Sequence, residues 1–327
     1  FHQVNAGKLS VELDLGADED RARVADLAAG ADVLVENMRP GVLERHGLGY
    51  EALSDLNPSL VMLSMSLAGQ QGPLRGAKGY ASIMSALSGL ESLVGYSPQD
   101  ITGMLTVAVG DPNAATYGVL CVLGALLERE RTGRGAWLDL SQLEAAACGL
   151  LGTLAAFAEH GPGVWAYGNW HARHAPHGSY PTRDGWVSLS VGDDEQWRGL
   201  LDALAIPADA ALRNASLAGN AGRLRRREEL NDGMARATAS FERENLLERL
   251  SAAGVAAAPA LELNDRSVAG FVAAPRHAMP MAHPYGGEEV LVTPPWDIDG
   301  AQPQFARRAP LLGEHTEEVL ASGWPAA

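Results

Sequence analysis

The residues best suited to chemistry gather around one carboxylate. Val109-Gly110-Asp111-Pro112-Asn113 precedes an apolar run that ends at Glu128-Arg129-Glu130-Arg131-Thr132-Gly133. Asp111 as N-cap, Pro112 as first helical residue and Gly133 just past the last turn are helix boundary signals. Capping alone would contribute about 1 kcal/mol. A carboxylate at the positive end of a helix dipole can also serve as a nucleophile or base. Between these boundaries Tyr117, Leu120, Cys121, Leu123, Gly124, Leu126 and Leu127 leave no polar face until the last turn. That pattern predicts a core helix whose N-terminus opens onto an enclosed space. A second group, His171, His174 and His177, recurs every third residue. No acidic or Cys ligand adjoins it, and Pro176 breaks any helix that would align the rings. No metal is assigned, and the segment reads as a loop lining a substrate cleft. Gly133-Arg134-Gly135 follows a helix rather than a strand, the wrong context for a dinucleotide fingerprint.

The elements that must position these residues alternate. Residues 11–15 alternate like a strand, 18–29 read as an amphipathic helix and 31–36 as a short buried strand. Asn57-Pro58 then punctuates a return into a strand over 60–66. Strand and helix in turn imply an α/β fold with a Rossmann-like, doubly wound parallel sheet. Ligands in such sheets bind beyond the carboxyl ends of the strands, so the loops at 37–39 and 69–80 are expected at a site. The pattern is helical from Tyr80 to Leu90, over 113–131, and over the small-residue stretch 141–159. The Gly/Trp-rich stretch 161–178 reads as a linker, and Trp186 to Val191 opens a second, smaller α+β domain. Helices follow around 195–204, 223–237 and 241–253, then irregular chain beyond Pro284 and a closing helix over 314–322. The expected organisation is a large α/β domain over 1–178, completed by 290–327, with the small domain over 179–289.

With 327 residues, 46% of them hydrophobic and 20% charged, the chain has the composition of a soluble globular protein. Its formal net charge of −15 argues against nucleic acid or an anionic membrane as partner. The longest apolar run, 145–158, is too short to span a bilayer. Cys121 and Cys148 lie in apolar helical stretches, so two buried thiols in a reducing cytoplasm are expected.

Three stretches, taken together, resemble the class III CoA-transferases, the family of formyl-CoA and carnitine-CoA transferases. They are Ala31-Asp32-Val33-Leu34-Val35-Glu36-Asn37-Met38-Arg39-Pro40-Gly41 with its continuation to Leu48, the Gly69 to Gly89 stretch holding Gly72-Pro73 and Lys78-Gly79-Tyr80, and the Asp111 segment with its Arg131-Thr132-Gly133-Arg134-Gly135 tail. Ala175-Pro176-His177-Gly178-Ser179-Tyr180, Asp184-Gly185-Trp186 and Pro310-Leu311-Leu312-Gly313-Glu314-His315-Thr316 extend the likeness in order over nearly the whole chain.

The resemblance implies a CoA-transferase in which Asp111 is the nucleophile, working through a mixed anhydride and an aspartyl-CoA thioester. It implies that Asn37, Met38, Arg39 and Arg45 lie along bound CoA, the arginines near phosphate or adenine, where their planar donor fork suits the role. It implies likewise that Lys78, Gly79 and Tyr80 lie near the nucleotide and pantetheine. CoA or acyl-CoA would be a substrate, with a carboxylic acid as acceptor and no permanently bound cofactor. An interlocked homodimer is implied. So are several dozen further residues ahead of Phe1, which in the family supply the first strand and helix and part of the CoA site.

Some positions depart from the pattern. Ala81 stands where formyl-CoA enzymes carry an acidic residue, Gly16 replaces a basic residue after Leu-Asp-Leu, and 161–178 lacks a glycine-rich flap. These departures weaken any claim to formyl or oxalyl substrates. An α-methylacyl-CoA racemase, from the same superfamily, would need a base on each face of the α-carbon, and there a histidine holds the place of Tyr80. Tyrosine, with a reference pKa of about 10, is a poor proton acceptor at neutral pH, which favours transfer. A third reading is a CoA-binding remnant without catalysis.

Overall fold

The computed structural model describes residues 1–97, 99–103, 109–161, 166, 168–262, 265, 270 and 278–323. The chain forms two compact units, Phe1–Ala166 with Pro275–Ala327, and Tyr167–Ala274. The boundaries fall at 166/167 and 274/275 rather than 178/179 and 289/290. Strand pairing explains the first difference, because a strand of the smaller unit already begins at His177. Hydrogen bonds explain the second, because Glu289, expected in the small domain, bonds to His2, and its strand carries 278–283 with it by pairing.

The first unit opens with α1 (His2–Asn5), α2 (Asp18–Ala29), β1 (Val33–Glu36), α3 (Val42–Arg45), α4 (Tyr50–Leu56) and β2 (Val61–Ser66). It continues with α5 (Ala81–Leu87), β3 (Gly95–Ser97), β4 (Asp100–Ile101), α6 (Gly110–Thr132), β5 (Ala136–Ser141), α7 (Gln142–Cys148) and α8 (Leu151–His160). β1, β2 and β5 form a parallel sheet with β2 in the centre. Central position buries β2 on both faces, and Val61, Met62 and Leu63 lie in the core. One cluster joins Leu60 and Met62 to Ala28, Leu43, Leu48 and Leu53. A second joins Leu63 to Ala114, Leu140 and Ala145, seating α6 on the sheet. The α/β fold with a parallel sheet is as the alternation predicts.

Several expectations are corrected. Residues 11–15 form no strand, and the Glu12 and Asp14 amides bond to side chains rather than to a neighbouring strand. The Glu12 amide donates to Thr316 Oγ1 at 3.0 Å, and the Ser10 carbonyl accepts from the His315 amide at 2.9 Å. The single helix expected over 141–159 is two, α7 and α8, parted at Gly149-Leu150. β5, absent from the sequence reading, supplies the third strand. Helix α6 begins at Gly110, so Val109 is the N-cap and Asp111 lies within the first turn. Nor is α6 buried all round. Gly118 packs against Leu63 of the sheet, while Leu120, Leu123 and Leu127 face outward, Leu127 being 68% exposed. Cys121 and Cys148 are free and exposed rather than buried.

The second unit holds an antiparallel sheet of β6 (His177–Thr182), β7 (Gly185–Ser190) and β8 (Ala256–Pro259). Helices α9 (Asp194–Ala203), α10 (Asn220–Arg225), α11 (Arg227–Thr238) and α12 (Arg243–Ala252) accompany it. Val187, Leu189, Trp197, Leu200, Leu230, Met234, Leu246 and Leu250 make one core with side chains from both layers. Within it Arg223 is 0% exposed. Its guanidinium donates to the carbonyls of Ala175, Leu217 and Ala218 and to Asp194 Oδ1, at 2.6 to 3.1 Å, and lies over the Trp197 ring.

The chain then returns to the first unit as a hairpin of β9 (Ala278–His283) and β10 (Gly287–Val292), where irregular structure is expected beyond Pro284, and closes with α13 (Thr316–Ser322).

Candidate active site

The carboxyl ends of all three parallel strands feed one cavity of about 440 Å³. From the end of β1 come Asn37, Met38 and Arg39, and from the end of β2 come Met65, Ser66 and Leu67. Gln142, the residue after β5, comes from the third strand. Arg75, Lys78, Gly79 and Tyr80 of the long loop after β2 also line it, together with Asp111. This is the end of an α/β sheet at which ligands bind, since loops there are free to vary over a rigid base.

The loop is pinned from both neighbouring strands. Glu36, the last residue of β1, accepts the Met38 amide at 2.8 Å and the Gln70 side chain at 3.4 Å. Asp139 of β5 accepts the Gln70 amide at 2.9 Å. The Leu143 amide donates to the Leu67 carbonyl at 2.9 Å. Two carboxylates from flanking strands thus fix where the long loop begins. The loop ends at Tyr80, the N-cap of α5. Gly79 is required there by the protein itself, because a Cβ would lie 2.6 Å from Ile83 Cβ in the first turn of α5.

Asp111 is set by the same helix. Gly110 packs against Met84 of α5 so closely that a Cβ would lie 2.1 Å from Met84 Cε. Asn113 Nδ2 donates to the Ala145 carbonyl of α7 at 2.8 Å and ties the first turn of α6 in place. The amides of a first helical turn lack intrahelical acceptors, so they and the dipole favour negative charge beside Asp111. The site is open rather than enclosed, and Tyr80 is 87% exposed.

Seven of the eight site residues expected from the sequence line this one cavity: Asn37, Met38, Arg39, Lys78, Gly79, Tyr80 and Asp111. Arg45 does not. It ends the short helix α3 and folds back over Gly41, where a Cβ would lie 3.3 Å from its guanidinium. Three polar residues were missed: Arg75, Ser66 and Gln142. Ser66 is buried and its Oγ has no partner among the described residues. The signal for Ser66 and Gln142 was their place at or just past a strand end. Arg75 carried none beyond lying in the loop.

Arg39, Arg75 and Lys78 line the cavity without forming an ion pair among the described residues. Three cations around one open cavity, in a chain of net charge −15, give a local positive field that would attract an anionic ligand. Pairing with phosphate would suit the arginine forks and the lysine alike.

The histidine segment lies in the smaller unit. His171 stacks on His174 with ring centroids 4.7 Å apart and lies 5.3 Å from His177. His177 borders a cavity of about 610 Å³ together with Trp170, Ser188 and Ser190. Desolvation first, then the neighbouring His174, His177 and Arg173, hold the His171 pKa below its ordinary value. Residues 162–165 and 167 of the expected linker lie outside the described residues.

Comparison with known proteins shows the family of the chain. The profile of CoA-transferase family III matches residues 1–316. The chain is 33% identical over 324 residues to the succinyl-CoA–L-malate CoA-transferase beta subunit of Chloroflexus aurantiacus, covering 96% of this chain and 78% of that protein. It is 30% identical over 321 residues to the succinate–glutarate CoA-transferase of Agrobacterium fabrum, covering 98% and 80%. Among solved structures, a CaiB/BaiF family protein from Brucella suis superposes with a TM-score of 0.85 at 29% identity, over 98% of this chain and 82% of that one. The chain belongs to CoA-transferase family III, a family of transferases.

Proposed function

We propose that this chain moves CoA from an acyl-CoA donor to a carboxylic acid acceptor, with Asp111 as nucleophile. The observation that carries the reading is the shared cavity: a carboxylate in the first turn of a helix, faced by three cations that pair with nothing else described. Lys78, Arg39 and Arg75 would hold the phosphates of CoA, while Asn37, Met38, Gly79 and Tyr80 would line its path. The named relatives act on succinyl-CoA with malate, and on succinate with glutarate, which supports short dicarboxylic acids as substrates here.

The chemistry runs through four acyl transfers. The Asp111 carboxylate attacks the thioester carbonyl, the C–S bond breaks, and CoA leaves as thiolate from a mixed anhydride. The thiolate attacks the Asp111 acyl carbon, forming an aspartyl-CoA thioester and releasing the donor acid as carboxylate. The acceptor carboxylate attacks that thioester, expelling CoA thiolate and forming a second anhydride. The thiolate then attacks the acceptor acyl carbon, giving the new acyl-CoA and restoring Asp111. No net proton or electron is exchanged. Each step develops an oxyanion, for which backbone amides at the start of α6 are suitable donors; Pro112 offers none.

A homodimer and a cytoplasmic location complete the proposal. Support for a second copy comes from apolar side chains left outward on α6 and α8, among them Leu120, Leu123, Leu151 and Phe157. Sedimentation would report the state of assembly, and a monomer at micromolar concentration would refute it.

The direct test incubates the chain with succinyl-CoA and a panel of carboxylates, reading CoA esters by mass spectrometry beside Asp111→Ala. New CoA esters that vanish in the variant, with CoA binding retained, support Asp111 as nucleophile. Exchange that persists in Asp111→Ala rejects it.

A further inference from the structure

A separate cluster lies far along the chain from Asp111. His2 of α1, His283 of β9 and Glu289 of β10 each offer a ligand atom, all within 4.8 Å of one another. Among the described residues this is the one such trio of His, Cys, Asp or Glu. His2 Nδ1 meets both carboxylate oxygens of Glu289 at 2.6 Å. The His2 and His283 rings stack with centroids 4.0 Å apart.

The hairpin builds this arrangement. Glu289 pairs with Met281 across the ladder, and His283 lies two residues beyond Met281 on the same face. Diagonal neighbours on one face of a hairpin are within reach of long side chains. The turn makes room for the carboxylate: a Cβ at Gly286 would lie 1.8 Å from Glu289 Oε1. His2 is delivered by a reciprocal amide pair, in which Gln3 Nε2 donates to the Val292 carbonyl and Gln3 Oε1 accepts the Val292 amide, both at 2.7 Å.

An ion pair between His2 and Glu289 accounts for two of the three groups. It leaves the third unexplained: His283 is 5% exposed, and its buried Nε2 has no hydrogen-bond partner among the described residues. A buried polar nitrogen without a partner calls for an explanation such as an ion. We propose that His2, His283 and Glu289 bind one divalent ion of the zinc class. Two imidazoles and a carboxylate are a donor set suited to zinc, cobalt or nickel rather than to magnesium or calcium. Tetrahedral zinc at about 2.0–2.2 Å from each ligand needs ligand atoms about 3.3 Å apart, so binding would turn the stacked His2 and His283 rings toward a common point and part His2 Nδ1 from Glu289. The Tyr285 amide donates to His283 Nδ1 at 3.3 Å, which leaves the ring proton on Nε2. Coordination at Nε2 would move that proton to Nδ1, replace this long hydrogen bond with a donor facing a donor, and so require the Tyr285 amide to turn away.

Three protein ligands leave a fourth position. His2 and His283 both border a cavity of about 450 Å³ that Lys8, Ser10 and Tyr285 also line, so water or a small anion can complete the shell. The ion would clip the start of the chain to the hairpin. This proposal is independent of the reading of Asp111.

The test uses the untagged full chain. After equilibration with Zn²⁺ and dialysis, bound metal is counted by mass spectrometry, and Co²⁺ titration reports geometry through its visible bands, intense only for tetrahedral sites. Glu289→Gln, His283→Ala and His2→Asn are compared with two controls, Cys121→Ser/Cys148→Ser and His171→Ala/His174→Ala. One equivalent is expected in the wild type and in both controls, with affinity at least about tenfold lower in each site variant. Zinc should also raise the melting temperature of the wild type and not of Glu289→Gln, which keeps shape and loses charge. A chain that retains no equivalent overturns the proposal. So does undiminished binding in Glu289→Gln, or loss of the equivalent in either control.

Discussion

Removing the cavity cations one at a time tests which of them hold CoA, and Arg45 is the informative comparison. Arg39, Arg75 and Lys78 line the cavity; Arg45, which the family resemblance sets beside CoA, does not. All four side chains are exposed. A cation about 4 Å from a phosphate charge gains about 1 kcal/mol at the dielectric of water and about 4 at an effective value of 20. Exposure puts these residues near the lower figure, and ordering a long side chain offsets part of it. About 1 kcal/mol each, or about fivefold in affinity, is the expected cost of Arg39→Ala, Arg75→Ala or Lys78→Ala. The triple variant should lose about a hundredfold if the contributions add. Phosphates are gripped equally before and during acyl transfer, so KM for acyl-CoA rises while kcat changes little. Steady-state kinetics at about 0.1 M salt and again near 1 M would read both quantities. The gap between wild type and the triple variant should narrow at high salt, where the screening length falls from about 10 to about 3 Å. Arg45→Ala should stay within about twofold of wild type, below any of the single cavity variants. An Arg45→Ala effect equal to that of Lys78→Ala, or a triple variant with unchanged KM, would refute the assignment of the cavity.

Two further outcomes follow from the smaller unit and the end of the chain. Arg223→Ala strips the buried carbonyls of Ala175 and Leu217, the carbonyl of exposed Ala218 and the half-exposed Asp194 of their donor, and a loss of about 3–5 kcal/mol is expected from the unsatisfied buried groups, read as an earlier urea midpoint of the Trp197 core; a shift under about 1 kcal/mol would contradict the burial argument. Glu314 is held down to about 2 by hydrogen bonds from the Arg308 side chain and the Leu311 amide. Its folded value lies below the unfolded one, so its contribution to stability is present above pH of about 4.5 and lost as pH falls toward 2. Arg308→Ala should therefore flatten the acid limb of the melting profile, and an unchanged limb would count against it.

Local signals were enough to read much of the first unit from its sequence. Acidic residues at the start of 18–29, the short apolar runs that begin at Val33 and Val61, and Gly133 at a left-handed cap act within a few residues of where they stand. The strand-and-helix alternation and the strand-end rule also selected the loops at 37–39 and 69–80, and motif likeness added Asp111.

Tertiary structure decided what depends on contacts distant in sequence. That Asp111 and Tyr80 share a cavity follows from Gly110 seating on Met84, and that Arg75 joins them while Arg45 turns away follows from loop and helix geometry. β5 was missed because its half-buried alternation acquires meaning only beside β2. The α6 helix read as buried because its composition is apolar, yet burial depends on what lies against each face, and only one face meets the sheet. His2 and Glu289 stand 287 positions apart, and no periodicity in a sequence can register a pair made by a returning hairpin.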